Sequence, residues 1–166
     1  MDRILIIGSN GAGKSSFSYK LSAILNLPLI HIDQIYWMEN WKVKPQEQFE
    51  EEVLIEAKQE QWIIEGNNIR SLPNRLKYAD TVFWFEFSPL VCVWNVIKRE
   101  IKYFNQARPD MPKGCVSKLN FRFLKDVWNF NKKNHTRIEE MLNDNENIEV
   151  IRFTNYQQIR EYINKL

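Results

Sequence analysis

Gly8, Gly13, Lys14 and Ser15 fall in the spacing G-x-x-x-x-G-K-[ST], and each residue type has a chemical reason to be there. The glycines let the backbone turn so that successive N–H groups point inward as an anion nest. Gly8, Ser9, Asn10, Gly11, Ala12, Gly13, Lys14, Ser15 and Ser16 make up that cradle, and a helix beginning here would add the positive end of its dipole. A phosphate chain fits such a nest. Lys14 would reach the β- and γ-phosphates of ATP, and the Ser15 hydroxyl would be a ligand of the Mg2+ that bridges them.

Transfer of a phosphoryl group also needs an acceptor side, and polar residues stand at the ends of other apolar runs. "HIDQIYW" carries Asp33, placed to hold the Mg2+ water shell or to accept the proton of an attacking hydroxyl. "EGNN" carries Glu65, a further candidate for the metal, and Asn67. Asn67, Arg75, Trp37 and Trp41 are expected to shape the acceptor pocket. The two tryptophans either stack on a flat substrate such as a base or pack a small helical subdomain. His31, a lone histidine at the end of an apolar strand, is expected to be structural. Arginine suits the charge that develops on a γ-phosphate because its planar fork grips two oxygens, which makes Arg99, Arg108 and Arg137 candidate clamps. For each of them a solvated surface charge is the alternative.

These residues need a scaffold that brings them to one edge, and the apolar pattern supplies it. Short β-branched or aromatic runs alternate with longer segments of helical period, the pattern of a parallel sheet covered by helices on both faces. Five strands are expected, at Ile4 to Ile7, Pro28 to Ile32, Trp62 to Glu65, Thr81 to Phe87 and Glu149 to Phe153. In such a sheet, ligands lie across the carboxyl ends of the strands. Ser88 and Pro89 open a helix whose stripe Leu90, Val93, Trp94, Ile97, Ile101 and Phe104 is expected to face the core. Thr154 and Gln157 have the spacing of a capping box for the last helix. One segment, about 105–120, has two prolines, a glycine and little periodicity, and is expected to be a lid carrying Arg108. The whole chain, 1–166, is expected to form a single domain.

Composition narrows the partners. The net charge of +2 arises from 23 basic and 21 acidic side chains, a balance that argues against direct DNA binding, which calls for a concentrated basic face. Two cysteines, no secretory leader and no apolar run near the roughly 20 residues that cross a bilayer point to a reduced, cytoplasmic protein with no membrane contact. Monomer and homodimer both stay open.

The P-loop, "LPLIHIDQIYW", "WIIEGNN", "RLKYADTVFWFEFSP", "RPDMPKGC" and the closing strand together resemble, nearly end to end, the adenylate-kinase-like P-loop proteins called DNA topology modulation proteins of the FlaR type. Aspartate-x-x-tyrosine-tryptophan at Asp33, Tyr36 and Trp37, and the loop from Arg108 to Cys115, carry the resemblance. It implies a nucleoside-monophosphate-kinase-like α/β fold with a five-stranded parallel sheet and a lid, and ATP with Mg2+ as ligand. It also implies Lys14 and Ser15 on the phosphates and metal, Asp33 and Asn67 near the acceptor, and Arg99, Arg108 and Arg137 as phosphate clamps. The chain departs from the family pattern at Glu65 and Glu86, where aspartate is usual, at Asn68 in place of tyrosine, and at Val116-Ser117 in place of proline-glutamate. Two functions follow as expectations. The first is a Mg2+-dependent phosphotransferase acting on a small acceptor such as a nucleotide or nucleoside. The second is a nucleotide-dependent regulatory protein affecting DNA topology.

Overall fold

The five apolar runs become the strands of one parallel sheet in the computed structural model, which describes residues 1–106, 111–112, 114–116 and 120–166. The strands are β1 (Arg3–Gly8), β2 (Leu29–His31), β5 (Trp62–Glu65), β6 (Thr81–Phe85) and β7 (Glu149–Phe153), in the order β2-β5-β1-β6-β7. A short hairpin, β3 (Trp37–Met38) with β4 (Lys42–Val43), stands apart from it. The helices are α1 (Lys14–Leu25), α2 (Ile32–Tyr36), α3 (Gln46–Ala57), α4 (Leu72–Leu76), α5 (Pro89–Lys102), α6 (Phe121–Asn143) and α7 (Tyr156–Ile163). Among the described residues, no helix is long and apolar enough to cross a membrane.

β1 is central, and the period of two along a strand sends its side chains into two separate cores. Ile4 and Ile6 pack with Phe17, Leu21, Phe83, Phe85, Cys92 and Val96 under α1, α5 and α7. Leu5 and Ile7 pack with Phe49, Val53, Trp62, Leu72, Val82 and Trp84 under α3 and α4. α6 serves both, giving Val127 to the first core and Ile138 and Leu142 to the second. Continuous hydrophobic runs in β1 and β5 are thus a direct consequence of burial on both faces. The edge strand β7 carries polar residues outward, and its Arg152 reaches Glu139 on α6 at 2.7 Å.

Four sequence expectations shift. The second strand ends at His31 because the chain turns directly into α2, so Asp33 sits in a helical first turn. The fourth ends at Phe85, where pairing with Phe153 stops. The stripe expected to be the core face of α5 is largely solvent-exposed: Leu90 is 69%, Trp94 58%, Ile101 69% and Phe104 62% exposed. The face that turns inward is Cys92, Val96 and Glu100. This face approaches the P-loop closely: a Cβ on Gly11 would lie 2.2 Å from the Cys92 carbonyl oxygen, so residue 11 has to be glycine. The cap of α7 is also displaced by one residue, with Asn155 accepting from the Gln158 amide at 3.1 Å and Gln158 bonding back to Thr154.

Candidate functional site

β1 delivers the chain to the P-loop at its carboxyl end, and α1 starts immediately after it. Gly13, at φ 95°, is the left-handed residue before the helix, and no side chain caps the first turn of α1. The first-turn amides are therefore offered to an incoming anion. Lys14 is only 6% exposed and bends over the loop, its Nζ donating to the Ser9 carbonyl at 3.1 Å and lying 3.6 Å from Glu65. The lysine is pre-positioned where phosphates would bind.

Glu65, the last residue of β5, is the electrostatic hub. One carboxylate oxygen accepts from the Ser15 hydroxyl at 3.2 Å and lies 2.9 Å from His31 Nδ1. Burial pushes the carboxyl up, yet the hydrogen bond from His31, the Lys14 and His31 charges and the Ser15 hydroxyl together hold it below the usual glutamate range. It is ionised at neutral pH, and His31 has the supporting role expected of it. Ser15, Glu65 and Asp33 all line one cavity. They are the hard oxygen donors that Mg2+ prefers.

That cavity, of about 700 Å3, runs from the P-loop along α5 to α7. Six cations border it (Lys14, Lys20, Lys98, Arg99, Lys102 and Arg160) against two carboxylates, Asp33 and Glu65. Tyr156 also lines it, its hydroxyl accepting from Asn95 at 2.7 Å, while the same amide donates to the Gly11 carbonyl at 2.9 Å. A second cavity of about 650 Å3 is lined by Tyr36, Trp37, Trp41, Asn67, Asn68, Glu100, Met111 and Phe123, among others. Asn10, Asp33 and Arg99 line both cavities.

The expected residues thus divide. Lys14, Ser15, Asp33, Glu65 and Arg99 come together around the first cavity, with Asn10, Gly11, Gly13 and Ser16 of the cradle. Trp37, Trp41 and Asn67 line the second. Asn67 also ties the site together, its Oδ1 accepting from the Gly8 amide at 3.2 Å. Arg75 is a correction. It is 0% exposed and lines neither cavity, because its guanidinium donates to the carbonyls of Gly66 at 3.3 Å and Asn68 at 2.7 Å. Burial lowers its pKa to about 10, with the Glu65 and Asp33 charges acting in the other direction, so it stays cationic and braces the loop that carries Asn67. Arg137 is a second correction. It lies exposed on α6 and lines neither cavity, since the buried face of that helix is set by Val127, Ile138 and Leu142. Arg108 lies outside the described residues.

Several lining residues were missed by sequence reasoning. Asn95, Lys98 and Lys102 form a polar stripe at i, i+3 and i+7 on α5, a signal present in the sequence but overshadowed by the apolar stripe beside it. Tyr156, at the start of α7, carried no motif. Glu100 and Asn68 carried no motif.

No protein-family model matches the chain, and no curated protein matches it. Its fold is similar to solved structures. A shikimate kinase from Acinetobacter baumannii, in complex with shikimate, aligns with a TM-score of 0.57 at 16% identity, covering 99% of this chain and 90% of that one. A shikimate kinase from Bacteroides thetaiotaomicron aligns with a TM-score of 0.56 at 16% identity, covering 99% and 95%. This α/β arrangement is the P-loop kinase fold. Neither structure is named as a DNA topology modulation protein.

Proposed function

We propose that the protein is an ATP- and Mg2+-dependent phosphotransferase acting on a small-molecule acceptor. The observation that carries this reading is the meeting of two cavities at Asp33, Asn10 and Arg99. A donor and an acceptor bound one in each would face each other there, so that proximity supplies much of the catalysis. The P-loop amides and Lys14 bind the phosphate chain. Ser15, Glu65 and Asp33 would hold Mg2+, which would offset charge on the phosphates when bound. Asp33 accepts the proton of the acceptor hydroxyl as its oxygen bonds to the γ-phosphorus and the bond from that phosphorus to the β,γ-bridging oxygen breaks, leaving ADP. Arg99 stabilises the negative charge on the transferring group, and Arg108, on a lid spanning about 105–120 of a single domain, would join it. No covalent enzyme intermediate is needed.

The FlaR-type affiliation rests on the sequence motifs, and the regulatory reading rests on that affiliation alone. An assay of ATP consumption with Mg2+ against a panel of small acceptors tests the proposal. An acceptor raising turnover at least tenfold in the native protein, but not in Lys14→Ala, is the expected result; stimulation that survives Lys14→Ala would sink it. A salt titration of binding to duplex DNA tests the regulatory reading, for which a steep negative slope is required.

A further inference from the structure

We propose that α5 is the contact helix of a homodimer, in which two copies of this chain pack their α5 helices antiparallel across a two-fold axis near Ile97. Leu90, Trp94, Ile97 and Ile101 recur along α5 at spacings of four, three and four, and Phe104, just past the helix end, follows after three more. That alternation of three and four is the one with which a helix meets another helix along a continuous seam. The opposite face of α5, with Cys92, Val96 and Glu100, is already buried, so the seam is not the helix's contact with its own core. Leu90, Trp94, Ile101 and Phe104 are each more than half exposed.

Area and symmetry choose the occupant. Given the size of these side chains, the four leave on the order of 600 Å2 of apolar surface open on each chain. A standard interface takes about 800 Å2 from each partner, and about 65% of a homodimer interface is apolar. The seam alone therefore supplies the apolar share of a stable dimer. A two-fold interface must also be self-complementary, so that a residue meeting a second one is met by it in return. The seam has that property, because its spacing runs the same way from both ends about Ile97. In an antiparallel pair Leu90 meets Phe104 of the second copy and Trp94 meets its Ile101, so that each contact sets an aromatic ring against an aliphatic side chain. A different partner protein would not call for this symmetry. The face also adjoins the first cavity. Asn95, Lys98 and Lys102, on the next side of α5, line that cavity, and the Lys98 Nζ lies 5.0 Å from the centre of the Trp94 ring. A second copy seated on Trp94 would hold Lys98 at the cavity's edge.

Sedimentation velocity of the full chain at about 50 µM is expected to show one species of two chains. Trp94→Glu, which puts a carboxylate at an exposed position in the seam, is expected to raise the dissociation constant at least 100-fold with far-ultraviolet circular dichroism unchanged. Ile55→Glu, at an exposed position on α3, is expected to leave that constant within twofold. Orientation is read separately by Ile97→Cys with a short bismaleimide cross-linker. Both native cysteines are buried, so a covalent dimer is expected from this variant and not from the native chain. A native chain that sediments as a monomer overturns the inference, as does an assembly of more than two chains. A dimer that survives Trp94→Glu, or in which Ile97→Cys is not cross-linked, is held by another face and overturns it too.

Discussion

The two cavities that meet at Asp33 are built from different materials. The cavity we propose for the nucleotide is made of backbone amides, a left-handed glycine before α1 and, among the described residues, six cationic side chains. The cavity we propose for the acceptor is made, among the described residues, of aromatic rings and amides, with Arg99, Asp33 and Glu100 as its charged groups. A site made from contiguous backbone binds a charge pattern common to all nucleotides. A site assembled from side chains on α2, β3, α5, α6 and the loop after β5 binds one shape. On the proposed reading, affinity for the donor is general while selectivity for the acceptor is local.

The sharpest way to break this contrast is on the nucleotide side. Lys14→Ala is expected to lower kcat by on the order of 10³-fold, as removal of a donor aimed at transition-state charge does. Far-ultraviolet circular dichroism is expected to stay unchanged, since Glu65 retains His31 and Ser15 as partners. Full activity in this variant would show that the P-loop is not the donor site. Asp33→Asn should fall next, lowering kcat by roughly 10² to 10⁴. Its affinity for a non-hydrolysable ATP analogue, read by calorimetry, should change only a few-fold. A large loss of ATP affinity with kcat preserved would move Asp33 from the proton to the nucleotide.

How far this division was visible in the sequence follows the same line. The turn from Gly8 to Ser16 was legible because glycine spacing encodes backbone conformation locally, and Gly8, Gly11 and Gly13 all take positive φ. β1, β5 and β7 were legible because their apolar runs match their burial or pairing. The α5 face was not. Hydrophobic period marks large apolar residues, whereas the face that packs on the P-loop and sheet is that of Cys92 and Val96, and Trp94 stays out. Arg75 and Arg137 were misassigned for a related reason. Charge alone does not say whether a guanidinium meets a ligand, a carbonyl or water. Only the tertiary placement of α4 and α6 decides that.

Acid pH offers a gentler way to sharpen the comparison, because the nucleotide side contains a buried carboxylate held below its ordinary pKa. Glu65 binds a proton more weakly in the folded chain than in the unfolded one, for which 4.5 is the reference value. Its ionisation therefore stabilises the fold above about pH 4.5, and this contribution is lost as pH falls from there through the depressed native value. Urea unfolding across that window should show a shallower loss of stability on acidification in Glu65→Gln than in the native protein. Equal slopes would mean that the Lys14, His31 and Ser15 contacts do not hold the charge.

The smallest effect is expected at Arg137. It is exposed on α6 and lines neither cavity, while Arg99 lies at the junction of both. Exposed charges contribute little to stability, and a group that does not reach the phosphates cannot offset charge developing on them. Arg137→Ala is therefore expected to change kcat and KM for ATP less than twofold, and Tm by no more than a degree or so. Arg99→Ala, in contrast, should lower kcat by roughly 10². If Arg137→Ala matched that loss, α6 would have to turn its outer face toward the donor during turnover. The cavity boundaries would then describe only the open form, and the assignment of cations to the nucleotide side would have to include α6.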